Sequence, residues 1–238
     1  MKIQLSNLTF SIIIFLISLS SCTKDWHGVR GSGVILTEDR TLAEFTGVDF
    51  QLAGRVNIVQ DSLFHVSVST HDNYQGLIRT YIRDGKLVIN STKSLYDDNI
   101  TVNVHLPNLD YINLGGSGTI MTLNQFHSSY MKVQITGSGK VDYSGDVNSL
   151  HANVSGSGKI YLLGSANNTT MTLSGSGKIK GFSYHTDKNN VTISGSGEIE
   201  TYVESDLKIN ITGSGKVFYM GHPVVSQKIS GSGKVIHQ

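Results

Sequence analysis

The sequence has 238 residues, a formal net charge of +1 at pH 7 and a single cysteine. A near-neutral chain gives no global electrostatic basis for binding nucleic acid or an acidic partner, and one cysteine excludes a disulfide framework or a thiolate metal cluster. Glycine is frequent (26 residues) while proline is nearly absent (2), which excludes a disordered Pro/Gly tract and makes the glycine positions structural.

In chain order, Met1-Lys2 supplies a short positive region and Leu8 to Leu19 is almost wholly apolar. That run is too short to cross a hydrocarbon core of ~30 Å and reads as the apolar part of a signal peptide. It ends in Leu19-Ser20-Ser21-Cys22, which resembles the lipobox of bacterial lipoproteins. The resemblance implies a lipoprotein signal segment over residues 1–22 and lipidation of Cys22. Thr23 at the next position resembles the non-Asp residue of lipoproteins that leave the inner membrane. An outer-membrane lipoprotein, periplasmic or surface-exposed, is therefore expected, with residues 23–45 as tether and first strand.

Residues 46–114 read as degenerate first coils and a cap. Gln51 to Ile58 carries apolar alternation around Ala53-Gly54, and strand-like runs follow at His65–Ser69, Lys86–Asn90, Ile100–Leu106 and Leu109–Leu114. Between them, Asn73–Arg83 is expected to form one short helix.

Residues 115–238 contain Gly-Ser-Gly seven times, beginning at Gly116, Gly137, Gly156, Gly175, Gly195, Gly213 and Gly231, at spacings of 21, 19, 19, 20, 18 and 18. A fixed period near ~20 residues marks a repeat architecture. Apolar-x-apolar-Ser/Thr precedes five of the seven tripeptides, as in Val133-Gln134-Ile135-Thr136, and an alternating strand follows, as in Lys140-Val141-Asp142-Tyr143. Period-two alternation sends Val133, Ile135, Val141 and Tyr143 to one face. The glycines permit positive φ and a sharp corner. A unit this short cannot bury its apolar face alone, so parallel stacking into a continuous core is required. The predicted fold is all-β: a right-handed parallel β-helix, a solenoid of ~19-residue coils with Gly-Ser-Gly corners.

The order Phe45-Thr46-Gly47-Val48, Gly54-Arg55-Val56-Asn57-Ile58, Asp84-Gly85-Lys86-Leu87 and Leu109, leading into repeated Gly-Ser-Gly, resembles the auto-transporter adhesin head (GIN) domain family over roughly residues 34–238. The resemblance implies a right-handed β-helix on lipoproteins or secreted proteins of the Bacteroidetes type, with no established activity. A true autotransporter adds a C-terminal membrane barrel, whereas this sequence runs five residues past its last tripeptide to Gln238. The adhesin label thus transfers a fold.

Stacking sets Thr119, Lys140, Lys159, Lys178, Glu198, Lys216 and Lys234 in a column with a spacing of ~4.8 Å. Lys140, Lys159, Lys178, Lys216 and Lys234 are the candidate ligand stripe, for an anionic glycan or lipid headgroup, or else a solvated corner. The tripeptide serines form a second column, expected to bond to corner backbone, the alternative being a hydroxyl ladder for sugar contacts. Asp61-Ser62-Leu63 resembles the Bacteroidetes O-glycosylation acceptor, making Ser62 a candidate modification site. No cofactor and no metal is expected: nine histidines show no ligand spacing, and lysine stands where a calcium-binding roll needs aspartate. The expected function is a lipid-anchored binding, adhesin-like or structural module rather than an enzyme. Expected partners are the membrane through the anchor, a glycan or protein surface, and a weak homo-oligomer through the C-terminal coil. The alternative is a polysaccharide-active β-helix enzyme, lyase or hydrolase. Against it, a coil perimeter near ~60 Å leaves interior room only for side chains.

Overall fold

The computed structural model describes residues 28–238; the apolar leader and the Cys22 lipidation expectation lie outside the described residues. The first strands are β1 (Ile35–Asp39), β2 (Gly47–Phe50), β3 (Arg55–Gln60) and β4 (His65–His71), followed by helix α1 (Asp72–Gln75). β5 (Ile78–Arg83), β6 (Lys86–Ser91), β7 (Ile100–Leu106), β8 (Tyr111–Leu114) and β9 (Thr119–Thr122) complete the N-terminal part. The regular part runs through β10 (Phe126–Ile135), β11 (Lys140–Gly156), β12 (Lys159–Gly175), β13 (Lys178–Gly195) and β14 (Glu198–Gly213). It ends in β15 (Lys216–Met220), β16 (Val224–Ser230) and β17 (Lys234–His237).

The coils stack as a parallel β-solenoid of about seven turns with about 19 residues per coil. β11 and β12 pair from Lys140↔Lys159 through Gly156↔Gly175, a constant offset of one coil. The register slips between Tyr161 and Gly164 opposite β13, and again where β13 meets β14 after Gly181 and Thr186. The coil from Gly175 to Gly195 is one residue longer than the coil before it, and the added residue is absorbed as a bulge away from the corner. Alternation works as the sequence predicts: Val141, Tyr143, Leu150, Ala152 and Val154 point inward and are buried, as are Ile160, Leu162, Met171 and Leu173 one coil on. Near the bulge the interior turns polar. Thr169 Oγ1 donates to Thr186 Oγ1 at 2.9 Å and Asn189 Nδ2 to Thr201 Oγ1 at 2.9 Å. Burial pushes the Tyr143 and Tyr184 phenols far up.

The two glycines of each corner do different jobs. Gly156, Gly175, Gly195, Gly213 and Gly231, the first glycines of the last five tripeptides, take φ between +113° and +127°, where a side chain is strained. The second glycine does not adopt positive φ. It is buried in every corner but the last, and a Cβ on Gly177 would stand 2.6 Å from Gly158 O and 2.6 Å from Val154 Cγ1. The left-handed geometry holds for the first position of the last five corners, while close approach of neighbouring coils fixes the second position, and the first position at Gly116 and Gly137.

The N-terminal coils depart from sequence order. β2 and β3 lie against β8 and β9, with Gly47↔Tyr111 and Arg55↔Thr119. On their other side β2 pairs with β6 and β3 with β7, through Gly47↔Lys86 and Arg55↔Thr101. The coil made of β6 and β7 therefore sits outside the earlier coil of β2 and β3. Beyond it the pairing becomes antiparallel, β5 on β6, β4 on β7 and β1 on β4, which ends the parallel stack. The helix expected over 73–83 shrinks to α1. Gly76 follows its single turn, and Thr80-Tyr81-Ile82, rich in strand formers, pairs back on Leu87-Val88-Ile89 across Asp84-Gly85 (φ +50° and +70°).

Residues just before β1 are stapled to this cap. The Tyr74 side chain is fully buried, and its hydroxyl is shared between Val29 O at 2.7 Å and Asp97 Oδ2 at 3.1 Å. Gly31 N donates to Asp97 Oδ2 at 2.7 Å, Ser32 N to Asn73 Oδ1 at 2.9 Å, and Asn73 Nδ2 to Arg30 O at 2.8 Å. The Gly31 amide holds the Asp97 carboxyl below its usual value, and the His105 ring does the same for Asp61. With the folded-state value depressed, this stabilisation is complete above the unfolded value near about pH 4 and is lost as pH falls through the folded value. Acidification from about pH 7 to about pH 3 is thus expected to lower the melting temperature of the wild type more than that of Asp97→Asn, whose side chain does not titrate. Equal drops in the two proteins would remove Asp97 from the acid response.

At the other end the last coil changes character. Gln227 stands in register with buried Ile209, and His237 with Tyr219. The His237 ring stacks on Tyr219 at 4.8 Å, and its Nε2 lies 2.9 Å from Gly221 O. Polar groups at inward positions suit a terminal coil, although Val224 (75%) and Ile229 (39%) remain exposed.

Candidate binding edge

The corner that turns the chain also aligns its chemistry. The lysine column exists as the spacing predicts: Arg55, Thr119, Lys140, Lys159, Lys178, Glu198, Lys216 and Lys234 follow one another in register. It is not a uniform stripe. Lys140 Nζ is paired with Asp142 at 2.8 Å and Lys178 Nζ with Glu198 at 3.2 Å. Lys180 contacts Glu198 at 3.0 Å and also bonds Glu200. Lys159, Lys216 and Lys234 are exposed and form no ion pair among the described residues.

A second column, two residues further along each strand, was not singled out from sequence: Met121, Asp142, Tyr161, Lys180, Glu200, Phe218 and Ile236. The same register that aligned the lysines makes it readable. Tyr161 is 41% exposed, and Lys140 Nζ lies 5.0 Å from its ring centroid, a cation–π arrangement. The hydrogen bond from Lys180 holds the Glu198 carboxyl below its usual value, against the effect of burial.

The serines of the tripeptides, Ser138, Ser157, Ser176, Ser196 and Ser214 among them, are all exposed. The expected bonding of their hydroxyls to corner backbone does not occur; among the described residues these hydroxyls have no protein partner. The corner is held by amides instead, with Ser176 N donating to Gly156 O and Ser196 N to Gly175 O, both at 3.0 Å. The side chains point away from the ladder and stay free.

Ser62 lies in an exposed turn. Asp61 Oδ1 accepts from Ser62 Oγ at 3.3 Å and from Leu63 N at 3.5 Å, while Asp61 Oδ2 faces His105 Nδ1 at 3.1 Å. His65 and His105 are cross-strand neighbours on β4 and β7, and His65 Nε2 lies 3.0 Å from Asp39 Oδ1. Among the described residues no group of three or more His, Cys, Asp or Glu is arranged to hold a metal ion, and no helix is long and apolar enough to cross a membrane.

The solved structure of a "putative adhesin" from Bacteroides fragilis superposes with a TM-score of 0.83 at 21% identity, covering 89% of this chain and 100% of that one. A "putative lipid binding protein" from Parabacteroides distasonis gives 0.74 at 24%, covering 88% and 99%. A "putative adhesin" from Parabacteroides merdae gives 0.69 at 21%, covering 89% and 99%. At these identities the likeness establishes the fold. No curated protein matches the chain. The family model described as "Putative auto-transporter adhesin, head GIN domain" matches residues 44–223, most of the chain and every coil from β2 to β15, and the chain belongs to that family.

Proposed function

We propose that this protein is a lipid-anchored, adhesin-like binding module of the outer membrane, attached through Cys22 and presenting the wall of its solenoid to a ligand. The observation that carries this reading is the repetition of one corner, with one serine and one mostly basic position, in consecutive coils. A scaffold for an extended ligand gains from each added copy, whereas a catalytic centre needs one coil unlike the rest. The family's adhesin designation and the neighbours' names support the same reading.

On this reading the anchor attaches at the capped end. Six residue steps separate Cys22 from Gly28, where the described chain begins, so the anchor reaches at most about 20 Å. Since residues 29–32 are stapled to the cap, the capped end faces the bilayer and the later coils point away.

The alternative of a polysaccharide-cleaving enzyme draws on the Glu198–Lys180–Glu200 cluster, where two outward acids share a base. Lys180 and Lys178 keep Glu198 ionised, the opposite of the raised pKa that a proton-donating carboxyl requires. The cluster therefore favours a fixed ion-pair knot.

Two measurements test the proposal. Cys22→Ala is expected to move the protein from the membrane to the soluble fraction, because the multiple acyl chains of a lipoprotein hold a membrane far more firmly than surface contacts do. Tight membrane retention of Cys22→Ala would overturn the anchor. The labelled mature chain, residues 23–238, is expected to decorate cell surfaces in a saturable way. Failure on every bacterial and host surface tried would overturn the adhesin-like role.

A further inference from the structure

We infer that the Gly-Ser-Gly edge is a linear binding site for an acidic polysaccharide laid parallel to the solenoid axis. Sugar carboxylates meet the lysine column, sugar hydroxyls meet the serine column, and Tyr161 serves as a stacking platform. The inference rests on the binding-module reading above and adds the ligand class and the residues.

The charge argument is local. The two outward columns that follow the corner carry seven basic residues (Arg55, Lys140, Lys159, Lys178, Lys180, Lys216 and Lys234) and three acidic ones (Asp142, Glu198 and Glu200). That is a net +4, whereas the whole chain carries +1, so everything else carries a net −3. The near-neutral total conceals a basic edge on an otherwise acidic body, and such an edge raises the local concentration of anionic ligands.

The chemistry is also unspent. The serine hydroxyls are exposed and free of protein partners, so each can both donate and accept. Lys159, Lys216 and Lys234 are equally free, while Lys140 and Lys178 are already oriented by Asp142 and Glu198. Lys159 falls between those two pairs, with Tyr161 two residues on. Each coil therefore offers one hydroxyl and, in five of the seven tripeptide coils, one ammonium, repeated every ~4.8 Å. A polymer with a hydroxyl-rich, periodically charged backbone matches that repeat, and a sugar ring matches the exposed face of Tyr161.

A bilayer fits less well. Asp142 and Glu200 lie in the second column, so a flat anionic surface covering both columns would press phosphates onto carboxylates. A single polymer strand lying along the serine and lysine columns meets one carboxylate, Glu198, already paired with Lys178 and Lys180, and reaches the second column only at Tyr161.

The test uses the mature chain, residues 23–238, against polygalacturonate, a neutral dextran and vesicles containing phosphatidylglycerol. Binding to polygalacturonate and not to dextran is expected. Lys159→Glu combined with Lys216→Glu is expected to weaken it by about tenfold or more, while Lys208→Glu, an exposed lysine on the neighbouring wall, changes it by less than about twofold. Tyr161→Ala, which alters no charge, is expected to weaken it measurably too. All substituted positions are on the surface, and unchanged circular dichroism checks the fold. Polygalacturonate binding indifferent to both the lysine pair and Tyr161 would overturn the edge. Binding to vesicles without polygalacturonate would overturn the ligand class. Loss of polygalacturonate binding with cell decoration intact would sink this inference alone, whereas absence of all surface decoration would sink the adhesin-like reading beneath it.

Discussion

Gly177→Val should lower the melting temperature of the mature chain by several degrees, and Ser176→Ala, its neighbour in the same corner, should barely move it. At Gly177 the backbone conformation is ordinary, so the penalty comes from space. A Cβ there already collides with Gly158 O and Val154 Cγ1, each 2.6 Å away, and valine adds two methyl groups to a corner sealed by the coil beneath. Overpacking of this kind costs roughly 1–3 kcal/mol, and occasionally more. For a domain of this size each kcal/mol lowers Tm by about 2–4 °C. Gly156→Val reaches a comparable cost, roughly 1–3 kcal/mol, by another route, since φ is +127° there and a β-branched residue is a steric outlier at positive φ. Ser176 is exposed with an unpartnered hydroxyl, so its removal stays within about 0.5 kcal/mol. Thermal melting of the three variants distinguishes the cases. A Gly177→Val protein that melts with the wild type would show that adjacent coils are further apart at the corner than the 2.6 Å contacts require.

The corners were readable in advance because a closed coil must turn at fixed intervals and glycine is the residue that lets neighbouring backbones approach. From one period, the pairing of β11 with β12 follows residue by residue, as do the pairings of β13 and β14 beside the corners and the Lys140–Lys159–Lys178 column. The coil order at the N-terminus was not readable. Val48 and Phe50 on β2 present the same apolar alternation as Leu87 and Ile89 on β6 or Ile112 and Leu114 on β8, and alternation fixes which face a strand buries, not which strand lies beside it. β2 pairs with both of those others, a non-local choice. The helix over 73–83 failed for a local reason, the Gly76 break followed by a hairpin. The candidate edge was half legible: its columns came from spacing, but the partners of Lys140, Lys178 and Lys180 depend on side-chain direction across coils. The free serine hydroxyls ran against expectation because the corner amides already bond to the coil below, leaving the hydroxyls no backbone role.

Tyr74→Ala should detach the cap while leaving the later coils folded, giving a melt in two steps where the wild type gives one. Tyr74 is among the largest fully buried side chains of the chain, and truncating a buried aromatic to alanine costs roughly 3–5 kcal/mol. The phenol also ties three segments together. Without it Val29 O loses its 2.7 Å donor, and Asp97 Oδ2 retains only the Gly31 amide. α1 then holds residues 29–34 through polar bonds alone, Asn73 to Arg30 and Ser32 and the Asp72 amide to Val34 O, and β1, all of whose residues are exposed, has little apolar surface of its own to keep it on β4. The damage should stop there, because coils in a solenoid are stabilised by their nearest neighbours, and β10 to β14 make their contacts with one another. The expected signs are protease cleavage confined to residues 28–45, most of the strand signal retained in circular dichroism, and a low-temperature transition ahead of the main one. Exposure of the β4 edge left by β1 should also promote edge-to-edge association, visible as concentration-dependent light scattering. A single transition shifted as a whole, with no early cleavage, would mean that cap and coils fold as one unit and that Tyr74 stabilises the entire stack.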